Sequence, residues 1–221
     1  MNQFTLKHYV RLCLFSLLLV ICFSYLYLKI SDLFEHPWFG IAVVNTVLAS
    51  FVVLLLIIKN TASIQLTSKK MNSLWYAPSI AVLILAVILQ IAVYSWNEIN
   101  WTINIEQAAF IFWIPLIEEL IFRSGIANAL IKFSTPVLGH FFAALIFALV
   151  HNFSVLESFN IAELFNLPLG AFLLGICCSY LYCMAKDIRP AILFHMACNA
   201  TVVILGSNGA IWLKRFHFLY Q

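Results

Sequence analysis

The chain has 221 residues, 64% of them hydrophobic and 10% charged, with a mean hydropathy of +1.00 and a formal net charge of +3. A soluble domain is nearer half apolar and a quarter charged, so this composition excludes an ordinary water-soluble enzyme. The fold class it implies is all-α, a polytopic transmembrane helix bundle, with membrane lipids as its surroundings and no nucleic-acid partner.

At about 20 residues per span, the length holds about seven spans joined by short loops. Apolar runs between polar breaks place them at roughly 9–30, 39–58, 75–96, 107–133, 136–152, 166–185 and 190–206. The first run is too long for a signal-peptide core and lacks a small-residue cleavage site, so it reads as a true span. The closing stretch, Ser207 to Gln221, is too short for a full eighth span and reads as an interfacial tail or a short re-entrant turn. The six cysteines, Cys13, Cys22, Cys177, Cys178, Cys183 and Cys198, all lie in apolar runs without CxxC spacing, as small packing residues do.

The loop charges alternate. Lys7 and Arg11, then Lys59, Lys69 and Lys70, then Lys132, then Lys186 and Arg189 fall on one side, with Lys29 near a helix end as a mild exception. Asp32, Glu35, Glu98, Glu106, Glu157 and Glu163 fall on the other. By the bias of lysine and arginine toward the cytoplasm, the N-terminus is expected to be cytoplasmic, in a cell (inner) membrane. Lys214 and Arg215 fit this pattern only if the tail turns back through an eighth short segment.

Ionisable groups inside spans are costly and mark candidate sites. Glu118, Glu119 and Arg123 lie in the fourth span, His151 ends the fifth, and His195 lies in the seventh beside the uncharged Asn199. Glu119 and Arg123 are four residues apart, hence on one helix face with the acid N-terminal to the base. Glu118 points about 100° away. The economical assignment pairs Glu119 with Arg123 as a brace and leaves Glu118 without a local partner, available for proton transfer. The bland alternative makes all three one ion network that only holds the bundle together, and either histidine alone reads as a helix–helix hydrogen bond. His195 and Asn199 share a helix face, and His140, near the end of its span, reads as interfacial.

The stretch Phe133 to Val137 (FSTPV) is a turn signal, with Pro136 suited to start a helix. Glu118 precedes that turn, and His151 follows it, by about 16 residues each, so an antiparallel hairpin sets both about 24 Å from its tip. His195 is harder to place. It lies only about 8 Å along its helix from the turn at Arg189 and Pro190. Either the fourth–fifth hairpin projects further, or the sixth–seventh turn dips inward.

At these residues the chain resembles the CAAX protease and bacteriocin-processing family of intramembrane endopeptidases. The pattern EExxxR is Glu118-Glu119-Leu-Ile-Phe-Arg123, FxxxH is Phe147-Ala-Leu-Val-His151, and HxxxN is His195-Met-Ala-Cys-Asn199. Each alone is weak, but all three in order within apolar segments are specific. The glycine that often follows the family arginine is Ser124 here, with Gly125 next. The resemblance implies a catalytic core over 107–205, three N-terminal transmembrane helices over 1–106 and a short tail over 206–221. It implies hydrolysis of a peptide bond in a peptide precursor or membrane-protein substrate. Glu118 assisted by His151 would activate water, His195 and Asn199 would stabilise the oxyanion, and Glu119 and Arg123 would support them. No cofactor is required on that reading. Zinc held by Glu118, His151 and His195 is the alternative, although no HExxH occurs and Asn199 suits an oxyanion better than a metal.

Two other functions compete. Buried Glu, His and Arg also build proton-coupled carriers, but the paired interrupted helices of many carriers are missing here. A catalytically silent scaffold or immunity factor is the second rival, and the intact polar set argues against it. Neither the oligomeric state nor the particular substrate is legible in the residues.

Overall fold

The computed structural model describes residues 72–93, 102–151 and 169–207. The spans expected at 9–30 and 39–58, Lys7, Arg11, Lys29, Lys59, Lys69 and Lys70, the acidic residues Asp32, Glu35, Glu98, Glu157 and Glu163, Cys13, Cys22 and the tail beyond Ser207 lie outside the described residues, while Glu106 stands in the first turn of a helix. Within them the chain is helical throughout.

Helix α1 is Ala77–Val93, led by a 3-10 turn at Ser73–Tyr76 in which Asn72 Oδ1 accepts from the Leu74 N–H at 3.0 Å. Helix α2 is one continuous helical stretch over 105–131. It opens on a capping box: Asn104 Oδ1 accepts from the Gln107 N–H at 2.7 Å, and Gln107 Oε1 from the Asn104 N–H at 3.0 Å. Two parts of α2, Ala109–Trp113 and Leu120–Ala127, are wound as π-helix, on either side of the α-helical Ile114–Glu119. Such wide turns are rare and cluster at functional sites.

Helix α3 is Pro136–Val150, with Thr135 capping it and Pro136 as its first residue, as the turn signal led us to expect. Helix α4 is Leu169–Ala185 and α5 is Arg189–Ser207. The chain leaves α4 through Lys186, which has a positive φ of 51°, and Asp187 then receives the Arg189 N–H at 2.9 Å.

Helix α5 packs against α1, α4 and the 109–119 part of α2, while α3 packs against α4 and the rest of α2. One apolar cluster, with Phe122, Ile126, Leu130, Ala143, Ile146 and Phe147, seals α2 to α3. A second joins Cys178, Tyr182, Ile188, Ala191 and Ile192, with Leu116 and Leu120 of α2 packed against it. The α4–α5 turn therefore folds inward: Asp187 and Ile188 are both buried. His195 reaches the height of Glu118 because α5 begins beside the middle of α2 and not at its end, as either of the two alternatives would have it. Gly175 of α4 permits a close approach to α3; a Cβ there would stand 3.0 Å from Ala144 Cβ and 3.1 Å from its Cα.

The exterior is apolar. On α1, Ile80, Ile84, Leu85, Ile88 and Ile91 all point outward, a stripe too large for a water-facing surface. Ser73–Ile91 is long and apolar enough to cross a bilayer, and Pro136–Val150, Leu169–Ala185 and Arg189–Ile204 are shorter apolar helices. Polar groups are gathered inside instead.

Candidate active site

Glu118 and Glu119 end the α-helical part of α2 just before its second π turn, and both are buried. Glu119 is held twice. Its Oε2 lies 2.9 Å from Arg123 Nε, and its Oε1 lies 2.9 Å from His195 Nδ1. The Arg123 contact is one of charge, since Nε and Oε2 make no aligned hydrogen bond despite their separation. Arg123 is fully buried; its Nη2 donates to the Gly175 carbonyl at 3.1 Å and its guanidinium lies 5.3 Å from the centre of the Phe147 ring. The brace expected between Glu119 and Arg123 thus extends to α4 and, through His195, to α5.

Glu118 faces the two histidines. His151 Nε2 stands 3.6 Å from its Oε1, and His195 Nε2 stands 3.7 Å from its Oε2. These separations exceed a direct hydrogen bond and are short enough for one water to touch both partners. Each imidazole is fixed from behind: His151 Nδ1 sits 2.7 Å from the Phe147 carbonyl, and His195 Nδ1 meets Glu119. With the Nδ1 hydrogens donated to those oxygens, both Nε2 atoms turn toward Glu118. Phe147 is the floor beneath them, its ring 4.3 Å from that of His151 and 5.7 Å from that of His195.

Asn199, one turn beyond His195, is buried and donates from Nδ2 to the Phe110 carbonyl at 2.9 Å. It is on the histidine's side of α5, but its observed partner is the backbone of α2. The sequence offered no sign of this acceptor, because a main-chain oxygen has no signature of its own. Nor did the helical wheel of α2 alone reveal the bond from His195 to Glu119. Asp187 was also passed over; its Oδ1 and Oδ2 take Arg189 Nε and Nη2 at 2.9 and 2.8 Å, fixing the start of the helix that carries His195. An Asp two residues before an Arg at a helix start was the signal available.

His140 is buried, its ring 5.8 Å from that of Tyr182, because α4 covers the start of α3. Among the other described residues, Cys178 is buried near the site, while Cys177 and Cys183 face outward and Cys198 is half-buried. Polar atoms of Glu119, Cys178 and His195 lie within 4.8 Å of one another. Arg123 already supplies the cation there, so that cluster is poorly suited to a metal. Glu118 and the two histidines, the zinc set weighed from the sequence, have both Nδ1 atoms anchored by oxygen, as ligand histidines usually do.

Residues 100–201 match the family model described as Rce1-like, Type II CAAX prenyl endopeptidase Rce1-like. The match runs over the whole of α2, α3 and α4 and into α5, and includes all three motifs. No curated protein and no solved structure matches the chain.

Proposed function

We propose that the Rce1-like segment, residues 100–201, makes this chain an intramembrane endopeptidase with Glu118 as its general base. The observation that carries the reading is the meeting of Glu118 with His151 Nε2 and His195 Nε2, at 3.6 and 3.7 Å, in a buried apolar setting. A water bound between carboxylate and imidazole loses its proton to Glu118 and attacks the scissile carbonyl carbon. The oxyanion that forms accepts hydrogen bonds from His195 Nε2–H and the Asn199 amide. Glu118, helped by His151, then returns the proton to the leaving nitrogen. For His195 to donate from Nε2 while Nδ1 donates to Glu119, the ring must carry two protons. Glu118, Glu119, Arg123 and His195 then sum to zero charge, which suits a site without bulk water.

The anchoring of both Nδ1 atoms also favours a second reading, in which Glu118, His151 and His195 hold zinc. Bound there, the ion would lower the pKa of a coordinated water. We place the metal-free mechanism first because Asn199 has a role in it and none in the other.

The substrate is proposed as a peptide precursor or a membrane-protein segment. A CAAX prenyl substrate is the class that the family description names. The protein is taken to lie in the cell membrane with its N-terminus cytoplasmic. Comparing peptides released from membranes carrying native protein or Glu118→Gln tests the activity. Peptides present only with the native chain, at equal abundance of the two proteins, are expected. Identical peptide sets would leave the scaffold and carrier readings in its place.

A further inference from the structure

Arg123 of α2 reaches the Gly175 carbonyl of α4 at 3.1 Å, and Asn128, further along α2, reaches the Tyr182 hydroxyl, further along α4, at 3.2 Å. The two helices therefore run in the same direction. Lys132 follows Asn128 by four residues, and Lys186 follows Tyr182 by four. Both lysines thus stand about one turn, roughly 6 Å, beyond a single hydrogen bond, at the same end of the bundle. Both are exposed, and each has an exposed apolar side chain near it in the chain, Phe133 for Lys132 and Met184 for Lys186. Among the described residues the acid at this end is Asp187, which is fully buried and bridges Arg189. Lys186 also holds its left-handed φ of 51°, which glycine would hold at less cost. A side chain kept in such a conformation points to a use for its ammonium.

We propose that Lys132 and Lys186 form a binding site for the phosphate of an anionic phospholipid headgroup, which ties the ends of α2 and α4 together from outside the bundle. An ammonium carries three donors, so a lipid phosphate adds to whatever contacts each lysine makes within the protein. A lipid fits better than a soluble anion because the surface has two parts. The lysines take the headgroup, and the apolar side chains near them take the acyl chains. Lys186 belongs to the turn that leads into α5, so a bound headgroup steadies the part of the fold that delivers His195.

The test uses the purified full chain in a nonionic detergent, with phosphatidylglycerol or an equal amount of phosphatidylcholine added to the micelles. Phosphatidylglycerol should raise the thermal midpoint above that in phosphatidylcholine, by about 2–4 °C for each lysine engaged. Lys132→Gln combined with Lys186→Gln should remove most of that difference, whereas Lys132→Arg combined with Lys186→Arg should keep it. A difference that survives in the glutamine variant overturns the inference, because other basic residues then hold the lipid. A native midpoint indifferent to the headgroup does the same. Inorganic phosphate should leave the midpoint unmoved; an equal rise would make the ligand a soluble anion and contradict the lipid assignment. A raised KM for a peptide substrate in the glutamine variant, with the lipid difference kept, would give the lysines to the substrate instead. A second measurement needs no variant. Phosphatidylglycerol carrying a photoreactive headgroup should crosslink to the native protein within 132–137 or 182–189. Crosslinks confined to other segments overturn the site, even if the glutamine variant fails to fold.

Discussion

At the scale of single residues, Glu119 does more than neutralise its neighbour. One oxygen meets Arg123 and the other meets His195, so one carboxylate ties α2 to α5 and fixes which nitrogen of the imidazole faces Glu118. Arg123 completes the brace with its bond to Gly175. Arg123→Ala leaves a buried carboxylate without its cation and should cost about 3–5 kcal/mol, enough to lower the protein's abundance in the membrane. Normal abundance and thermal stability in that variant would show that the brace carries no weight. Glu119→Gln is milder, because an amide of the same shape can still accept from His195 Nδ1. It still strips the buried Arg123 of its paired carboxylate, so abundance should fall, though by less than in Arg123→Ala. The kcat should fall by about tenfold or more, as the balancing charge behind His195 is gone. An unchanged kcat in Glu119→Gln would assign Glu119 to folding alone. The local pairing of Glu119 and Arg123 was legible because four-residue spacing on a helix is a property of the sequence. The bond to His195 was not, since it joins positions 76 residues apart.

At the scale of elements, the two turns deliver the site. Thr135 and Pro136 start α3 so that His151 comes level with Glu118, and simple counting from the FSTPV turn anticipated this, because a helix rises by a fixed amount per residue. The α4–α5 turn was not legible, since its inward course depends on packing of Ile188, Ala191 and Ile192 with α4 and α2. Lys186 holds a left-handed conformation there, with φ 51°, which for a side-chain-bearing residue costs roughly 1–2 kcal/mol. Lys186→Gly should therefore raise the thermal midpoint, by a gain of about 1 kcal/mol; a lower midpoint would mean that the lysine side chain itself holds the turn. Gly175→Val should do the reverse. The added Cβ meets Ala144 backbone at 3.1 Å, so α3 and α4 must separate, at a cost of about 1–3 kcal/mol. A native midpoint in Gly175→Val would show that the two helices have room to spare.

At the scale of the whole molecule, the described residues bury ionisable groups and leave large apolar side chains exposed. The exposed isoleucines of α1 and the buried Glu118, Glu119, Arg123 and His195 show this inversion, and composition alone foretold it. The positions of α2 to α5 agreed with apolar runs to within a few residues, because long hydrophobic stretches bounded by turn residues leave little choice. The orientation stays a proposal drawn from Lys59, Lys69, Lys70 and the acidic loop at 157–163. Single cysteines placed in those two loops of a cysteine-free variant should be labelled from opposite sides of the membrane, with the 59–70 loop protected in intact cells. Labelling of that loop from outside would reverse the assignment. Hydrolysis inside a bilayer requires a base that works without bulk water, and for this chain that base is proposed to be Glu118. The rate of peptide hydrolysis by purified native protein and Glu118→Gln, each before and after exhaustive chelation, tests that claim most directly. The account predicts a native rate indifferent to chelation and a variant rate below a few per cent of it. A variant that keeps its rate would remove Glu118 as the base, and a native rate lost on chelation and restored by zinc would contradict the metal-free mechanism.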